Sequence, residues 1–147
     1  MFNLENHIAD ISEIEKIALK ICKAINVGDI IMLQGELGVG KTTLSRSIIN
    51  NLHLLNGSQR PDSINSPTYP ILLTYDLTIY QIYHYDFYRV KTIKELDDLD
   101  FFENTKNNIT LIEWPELLID SSFDSKYYLI NIDFQKENKR IINIKYI

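Results

Sequence analysis

Residues 35–42, GELGVGKT, fit the phosphate-binding pattern GxxxxGK[ST] at every fixed position. Glycines in such a loop let successive backbone N–H groups turn towards phosphate oxygens, because no Cβ stands in the way. Here these glycines are Gly35, Gly38 and Gly40. In this pattern Lys41 reaches the β- and γ-phosphates, and the hydroxyl of Thr42 ligates Mg²⁺. The motif therefore predicts a nucleotide-binding protein.

The residues on either side of the motif have the order that such a loop requires. The apolar run 30–33, IIML, ends just before it, as a buried parallel strand does. After Lys41, apolar residues recur at helical spacing: Leu44, Ile48, Ile49, Leu52 and Leu55. The loop thus opens a helix whose N-terminal N–H groups face the anion. This order favours a phosphate site over the alternative of a glycine-rich turn without a ligand.

Length, charge and cysteine content restrict the remaining possibilities. A chain of 147 residues predicts one domain over 1–147. The net charge of −5 argues against unaided nucleic-acid binding, so any such role would run through a partner. A single cysteine, Cys22, fits a reducing compartment. No basic-then-apolar leader and no apolar run near 18 residues is present, so we expect a cytoplasmic protein without a membrane segment.

The first helix is predicted from residues 12–15, SEIE, which have the form of a capping box. Before it, Ile8 and Ile11 predict at most the end of an edge strand. Apolar residues then follow on one helical face until Gly28. This helix either only packs against the sheet, or also brings Ser12 close to a bound adenine, because it packs near the strand that feeds the loop.

The middle of the chain predicts a connector followed by a hairpin. Residues 66–70, SPTYP, combine hydroxyl side chains with prolines that confine the backbone. They form either a rigid connector or a sensor of γ-phosphate or Mg²⁺ that resembles a GTPase switch and includes Ser66 and Thr68. The β-rich runs 71–75 and 79–85 predict the hairpin. Its tyrosines fit either a half-buried sheet face or a base-stacking surface.

The second hairpin strand ends in candidate catalytic residues. Alternation along a strand puts His84 and Asp86 on one face. Asp86 could orient an attacking water or lie next to the Mg²⁺ ligands, with His84 hydrogen-bonded to it and Arg89 near a phosphate or a carboxylate. The alternative is a surface Asp–Arg pair with a tethering histidine.

A second strand-end carboxylate follows the apolar run 109–112, ITLI. Glu113 holds the position from which a carboxylate reaches Mg²⁺ in related sites, where many proteins have Asp. Its longer side chain must fold back or bind at a different depth. Trp114, the only tryptophan, either caps the site or fills a buried gap. The runs 127–134 and 141–147 predict a closing hairpin that completes the sheet rather than the site.

These elements together predict an α/β fold with a single P-loop NTPase domain. Its sheet should be mixed and mostly parallel, because hairpins add antiparallel strands to the parallel nucleotide-binding core. Helices are expected on both faces of the sheet.

The same motifs carry a family resemblance that spans most of the chain. Four segments in order resemble the bacterial TsaE (YjeE) family: 35–43, 66–69, 84–89 and 111–116. Members are small P-loop ATPases needed for threonylcarbamoyl modification of adenosine in tRNA. Two positions depart from the family pattern, Val39 in place of the usual Ala and Asn65 in place of a common basic residue.

The resemblance implies Mg²⁺-dependent ATP hydrolysis, weak in the isolated chain, within a complex of TsaB and TsaD proteins. It implies contact with tRNA only through that complex. By position, the loop residues, with Val39 among them, would bind ATP. Lys41, Thr42 and Thr43 would bind phosphate and metal, Glu113 would serve Mg²⁺, and Asp86 would assist hydrolysis.

Three other classes compete with this interpretation. A small-molecule kinase usually carries an Arg-bearing helical lid, and neither Arg60 nor Arg89 lies in such a pattern. A regulatory GTPase would need a DxxG segment, which the five glycines do not supply. A nucleotide-gated binding module with very slow turnover is the third.

Overall fold

The computed structural model describes residues 1–121 and 123–147. Its strands are β1 (Leu4–Ala9), β2 (Ile30–Gln34), β3 (Leu72–Asp76), β4 (Gln81–Asp86), β5 (Ile109–Glu113), β6 (Tyr128–Phe134) and β7 (Arg140–Tyr146). Its helices are α1 (Ile11–Ala24), α2 (Lys41–Leu55), α3 (Ile93–Asp98), α4 (Phe101–Asn104) and α5 (Glu116–Asp120). None of the described helices combines the length and apolar character needed to cross a membrane.

All of these strands form one mixed sheet in the order β1-β7-β6-β2-β5-β4-β3. The four strands β6, β2, β5 and β4 run parallel to one another in the middle. Antiparallel pairing adds β3 at one edge and β7 and β1 at the other. The prediction of a parallel core with antiparallel hairpin additions is confirmed.

Helices cover both faces, because the central strands are apolar on both sides. In β2, Ile31 and Leu33 join the core beneath α1 and α2. Ile30 and Met32 instead join the opposite core, which α3, α4 and α5 cover through Leu96, Phe101 and Leu118. A strand buried on both faces reads as a continuous apolar run, which is why the run 30–33 predicted its position.

The start of α1 corrects two expectations. The helix is capped by Asp10, whose carboxylate accepts a hydrogen bond from the Glu13 N–H at 2.9 Å. Ser12 is not the cap, since its hydroxyl donates to Asp10 at 2.8 Å. Ile11 is helical rather than extended, and the edge strand is the longer β1. Asp at the N-cap satisfies the free N–H groups of the first turn as well as Ser would. The sequence pattern alone therefore did not decide whether Asp10 or Ser12 is the cap.

Both predicted hairpins are present. Strands β3 and β4 pair from Leu72 opposite Tyr85 to Asp76 opposite Gln81, and β6 and β7 pair along their full lengths. The hairpin tyrosines are largely part of the packing: Tyr85 is fully buried against Phe87 and Phe101. This placement fits the sheet-face interpretation of the tyrosines.

Candidate nucleotide site

The glycine-rich loop joins β2 to α2 at the carboxyl edge of the parallel strands. Gly35 has φ +150°, and a Cβ at this position would overlap the backbone carbonyl oxygen of Ile132 on β6 and lie 2.9 Å from Cγ1 of Val39. Only glycine fits there without displacing the neighbouring strand. The first turn of α2 follows at once, with its free N–H groups towards the loop.

A cavity lies between this loop, the segment 66–68 and the ends of β4 and β5. Its lining includes ten of the residues predicted for the site: Gly38, Gly40, Lys41, Thr42, Thr43, Ser66, Thr68, Asp86, Glu113 and Trp114. Leu37, at the tip of the loop, also lines it and is 77% exposed. The structure therefore brings the motif residues from four separate segments to one place.

The two carboxylates lie side by side because β4 and β5 are parallel and end at the same edge. Asp86 is paired in register with Glu113, and both are buried at 2% exposure. The hydroxyl of Thr42 donates to Oε2 of Glu113 at 2.8 Å. A carboxylate and a hydroxyl from two different elements thus meet at the base of the loop.

Lys41 is folded back onto its own loop. Its ammonium donates to the carbonyl oxygens of Gly35 at 2.6 Å and Glu36 at 2.8 Å. Burial lowers the pKa of Lys41 from its ordinary value, opposed by the carboxylates of Glu113, Glu116 and Asp86. This cation can form charge-assisted hydrogen bonds with an anionic ligand of the cavity.

Trp114 lies directly over that lysine. The Lys41 Nζ is 3.8 Å from the centroid of the indole ring, and Tyr88 packs on the indole at 4.9 Å between centroids. The backbone of Trp114 has φ +58°, which is unusual for a bulky residue. Since the side chain is only partly buried and lines the cavity, its position is that of a cap rather than a buried wedge.

The segment 66–68 is connected to Asp86 by a chain of hydroxyls. Thr68 Oγ1 donates to Asp86 Oδ2 at 2.8 Å, and the Ser66 hydroxyl lies 2.8 Å from that of Thr68. The other carboxylate oxygen of Asp86 accepts from the Tyr88 N–H at 2.9 Å. A movement of this segment would therefore change the hydrogen bonding of Asp86.

The structure corrects one expectation about β4 and excludes the alternative given for it. His84 does not bond Asp86; its Nε2 donates to Oε1 of Glu113 on the next strand at 2.8 Å. Asp86 is also not part of a surface Asp–Arg pair, because it is buried. Arg89 is exposed and instead donates to the Tyr69 carbonyl at 3.3 Å, with its guanidinium 5.4 Å from the Tyr69 ring. Strand alternation identified the shared face of His84 and Asp86 but not the partner across the sheet.

The closing hairpin contributes to the loop, which corrects the expectation that it only completes the sheet. Arg140, at the start of β7, donates from Nε to the carbonyl oxygen of Val39 at 2.7 Å. Its guanidinium also lies 4.7 Å from the Phe134 ring. The role of Arg140 was not evident from the sequence, because its partner is 101 residues away and the two residues share no motif.

Ser12 lies outside the cavity at the glycine-rich loop. With Asp10 and Ile11 it lines a second cavity, whose opposite side is the hairpin turn 137–139. Arg140 immediately follows that turn and is paired in register with Ala9. Because Arg140 also contacts Val39 of the glycine-rich loop, this second cavity lies at the end of β7 that is next to the loop. The start of α1 thus follows a residue paired with Arg140, which itself contacts the loop at Val39.

Fold and site together define a P-loop α/β protein. A family model described as "Threonylcarbamoyl adenosine biosynthesis protein TsaE" matches residues 8–142. The chain therefore belongs to the TsaE family, which acts in tRNA threonylcarbamoyladenosine biosynthesis. The resemblance drawn from the four motifs is confirmed.

Individual relatives agree with this assignment. The chain is 36% identical over 132 residues to TsaE of Rickettsia felis, covering 90% of this chain and 74% of the relative. It is 33% identical over 144 residues to TsaE of Rickettsia bellii, covering 98% and 96%. TsaE of Haemophilus influenzae is 35% identical over 118 residues, which cover 76% of this chain and 66% of that protein.

A solved structure supports the fold. The crystal structure of Bacillus subtilis YdiB superposes with a TM-score of 0.68 at 23% identity, covering 97% of this chain and 84% of YdiB. At this identity the similarity bears on the arrangement of the sheet and helices alone.

Proposed function

We propose that this protein binds Mg²⁺-ATP and hydrolyses it, and that hydrolysis drives the cycle of a TsaB–TsaD complex in threonylcarbamoyl modification of tRNA. The observation that carries the proposal is the meeting of Lys41, Thr42, Asp86 and Glu113 in one cavity at the carboxyl edge of the sheet. Ligands of open α/β sheets bind at this edge.

The phosphate-binding part of the proposal rests on the loop and on Lys41. The ammonium is held by two loop carbonyls, Gly35 and Glu36, so it is poised within the cavity rather than extended into solvent. On ATP binding these carbonyl contacts would be exchanged for phosphate oxygens, and the backbone N–H groups of the loop would hold the same phosphates.

The residues present fit a magnesium ion. The Thr42 hydroxyl and the Glu113 carboxylate are hard oxygen ligands on adjacent elements, and they already contact each other at 2.8 Å. Among the described residues no group of three or more His, Cys, Asp or Glu side chains is placed to hold a metal ion. A site of one or two protein oxygens completed by phosphates and water is typical of Mg²⁺. When bound, the ion would offset charge on the phosphates.

Asp86 is the proposed water-positioning residue. It is buried beside Glu113, and its Oδ2 is already hydrogen-bonded to the hydroxyl of Thr68. A carboxylate at this place can accept a proton from, or orient, a water that attacks the γ-phosphate. Because Ser66 and Thr68 both line the cavity, their segment would respond to the γ-phosphate and pass the change to Asp86.

The partner assignment rests on the family. The chain's net charge of −5 supports a role in which tRNA is contacted by partners rather than by this subunit. A partner-dependent subunit would turn over slowly alone, and its hydrolysis would rise when the complex completes or stabilises the segment 66–68.

The test is ADP release from Mg²⁺-ATP by the purified chain alone, with a TsaB–TsaD pair, and with a mixture of small phosphate acceptors. Stimulation by the protein pair, absent in a Lys41→Ala control, is the expected result. If only an acceptor raises ADP release and a phosphorylated product appears, the protein is a kinase and the proposal is refuted.

A further inference from the structure

His84 is a buried imidazole between apolar residues of the two neighbouring strands. It is fully inaccessible to solvent, and its neighbours in register are Leu73 on β3 and Leu111 on β5. Burying a polar ring in such surroundings costs free energy unless the ring is hydrogen-bonded. An apolar side chain of similar volume would pack here without that cost.

The hydrogen bond that His84 makes is to Glu113. Its Nε2 lies 2.8 Å from Oε1, and both side chains are almost completely buried, at 0% and 3% exposure. Within the described part of the chain Nδ1 of His84 has no hydrogen-bond partner. The contact with one carboxylate oxygen of Glu113 is therefore the hydrogen bond that offsets the burial of the ring.

Glu113 uses its two oxygens for two different contacts. Oε1 accepts from His84, behind the site, and Oε2 accepts from the Thr42 hydroxyl at the base of the loop. A Glu side chain has one more rotatable bond than Asp, and ordering it costs conformational entropy. A fixed contact at Oε1 restricts that freedom and directs Oε2 to Thr42.

We propose that His84 is a positioning residue for magnesium binding. It holds the Glu113 carboxylate so that Oε2 faces the Thr42 hydroxyl, and it thereby allows the longer Glu to serve where a strand-end Asp would otherwise do so. This inference rests on the proposed function, because it takes Glu113 to be the residue that serves Mg²⁺. His84 itself contacts neither the ion nor the nucleotide.

The test measures binding rather than turnover. Affinity for a non-hydrolysable ATP analogue is determined by calorimetry at a series of free Mg²⁺ concentrations, starting in EDTA. In the wild type, affinity for the analogue should rise as Mg²⁺ is added, and the Mg²⁺ concentration at half of that rise is the midpoint. His84→Leu should raise this midpoint about 10- to 100-fold, the usual effect of removing a hydrogen-bond partner of a metal ligand. Affinity in EDTA should stay within about twofold, since the phosphate contacts of the loop are unchanged. His84→Gln, which keeps an N–H donor, should recover most of the Mg²⁺ response.

A matched control is His53→Leu. His53 is also a buried histidine, but it lies 12 residues after Lys41 on α2, roughly 18 Å along the helix. This variant should keep the wild-type Mg²⁺ response. An equal change in His53→Leu and His84→Leu would mean a general loss of packing and would overturn the proposal. Should His84→Leu not fold, His84→Asn takes its place, because the shorter amide withdraws the donor from Glu113.

Glu113→Ala separates this proposal from the proposed function. In that background His84→Leu should cause no further change, because the two residues act through one contact. If Glu113→Ala alters the Mg²⁺ response and His84→Leu does not, the positioning role is refuted while the magnesium site stands. If Glu113→Ala also leaves the response unaltered, both the magnesium role of Glu113 and the positioning role of His84 are refuted.

Discussion

Replacing Gly35 by alanine should destabilise the fold itself, and not only the nucleotide site. The added Cβ would overlap the backbone carbonyl of Ile132 on β6 and approach Cγ1 of Val39 at 2.9 Å. A backbone atom in a central parallel strand cannot move aside without disturbing the pairing of β2 with β6. The φ of +150° adds conformational strain that any residue with a Cβ would meet.

The magnitude follows from comparison with a second glycine. Gly57 also has a positive φ, +64°, but an added Cβ there has no atom within 4 Å. Gly57→Ala should thus cost only backbone strain, about 1–2 kcal/mol. Gly35→Ala should cost about 1–3 kcal/mol more, the usual effect of forcing extra volume into a packed region. For a domain of this size that excess lowers Tm by roughly 2–12 °C.

The assay is urea unfolding of both variants without nucleotide, followed by circular dichroism and by Trp114 fluorescence. Equal m-values would show that the unfolded states are comparable, so that the difference in midpoint reports stability. Free energies of unfolding that agree within about 0.5 kcal/mol, the range of ordinary surface substitutions, would refute the steric argument.

Three further substitutions test the site. Lys41→Ala should abolish ATP turnover while circular dichroism shows an unchanged fold, because it removes the charge aimed at the transition state. Asp86→Ala should lower turnover about 10²-fold or more, with a smaller effect on ATP affinity, as expected for a water-positioning group. Arg140→Met keeps the aliphatic stem but removes a charge-assisted hydrogen bond to Val39 that holds the loop, worth about 1.5 kcal/mol. It should therefore weaken ATP binding in calorimetry by up to about tenfold, the limit reached if the whole contribution is needed to order the loop.

For each of the three substitutions, a different result would contradict the prediction. Unchanged turnover in Lys41→Ala would remove the phosphate-site assignment. An equal loss of affinity and turnover in Asp86→Ala would favour a structural role. For Arg140, the matched control is Arg60→Met in the exposed loop after α2. Similar affinities of the two Arg variants would show that the loop does not depend on β7.

Much of the fold was predictable because its signals are local. The strand, loop and helix around Lys41 occupy about 25 consecutive residues. An apolar run, a glycine-rich turn and a helical repeat each have one dominant interpretation. The hairpins were predictable for the same reason. Asp86 and Glu113 were both identifiable as carboxylates at strand ends, and parallel strands that share an edge bring such residues together.

The tertiary structure decided which of these side chains touch. His84 bonds Glu113, 29 residues away, rather than Asp86, two residues away, because the register of β4 on β5 brings the Glu113 carboxylate within reach across the sheet. Arg140 reaches Val39 because the C-terminal hairpin lies beside β2. Periodicity reports the face on which a side chain lies, whereas strand order and register determine what lies opposite it. The motifs therefore established the class of the site, and the packing of the strands established how its carboxylates and loop are held.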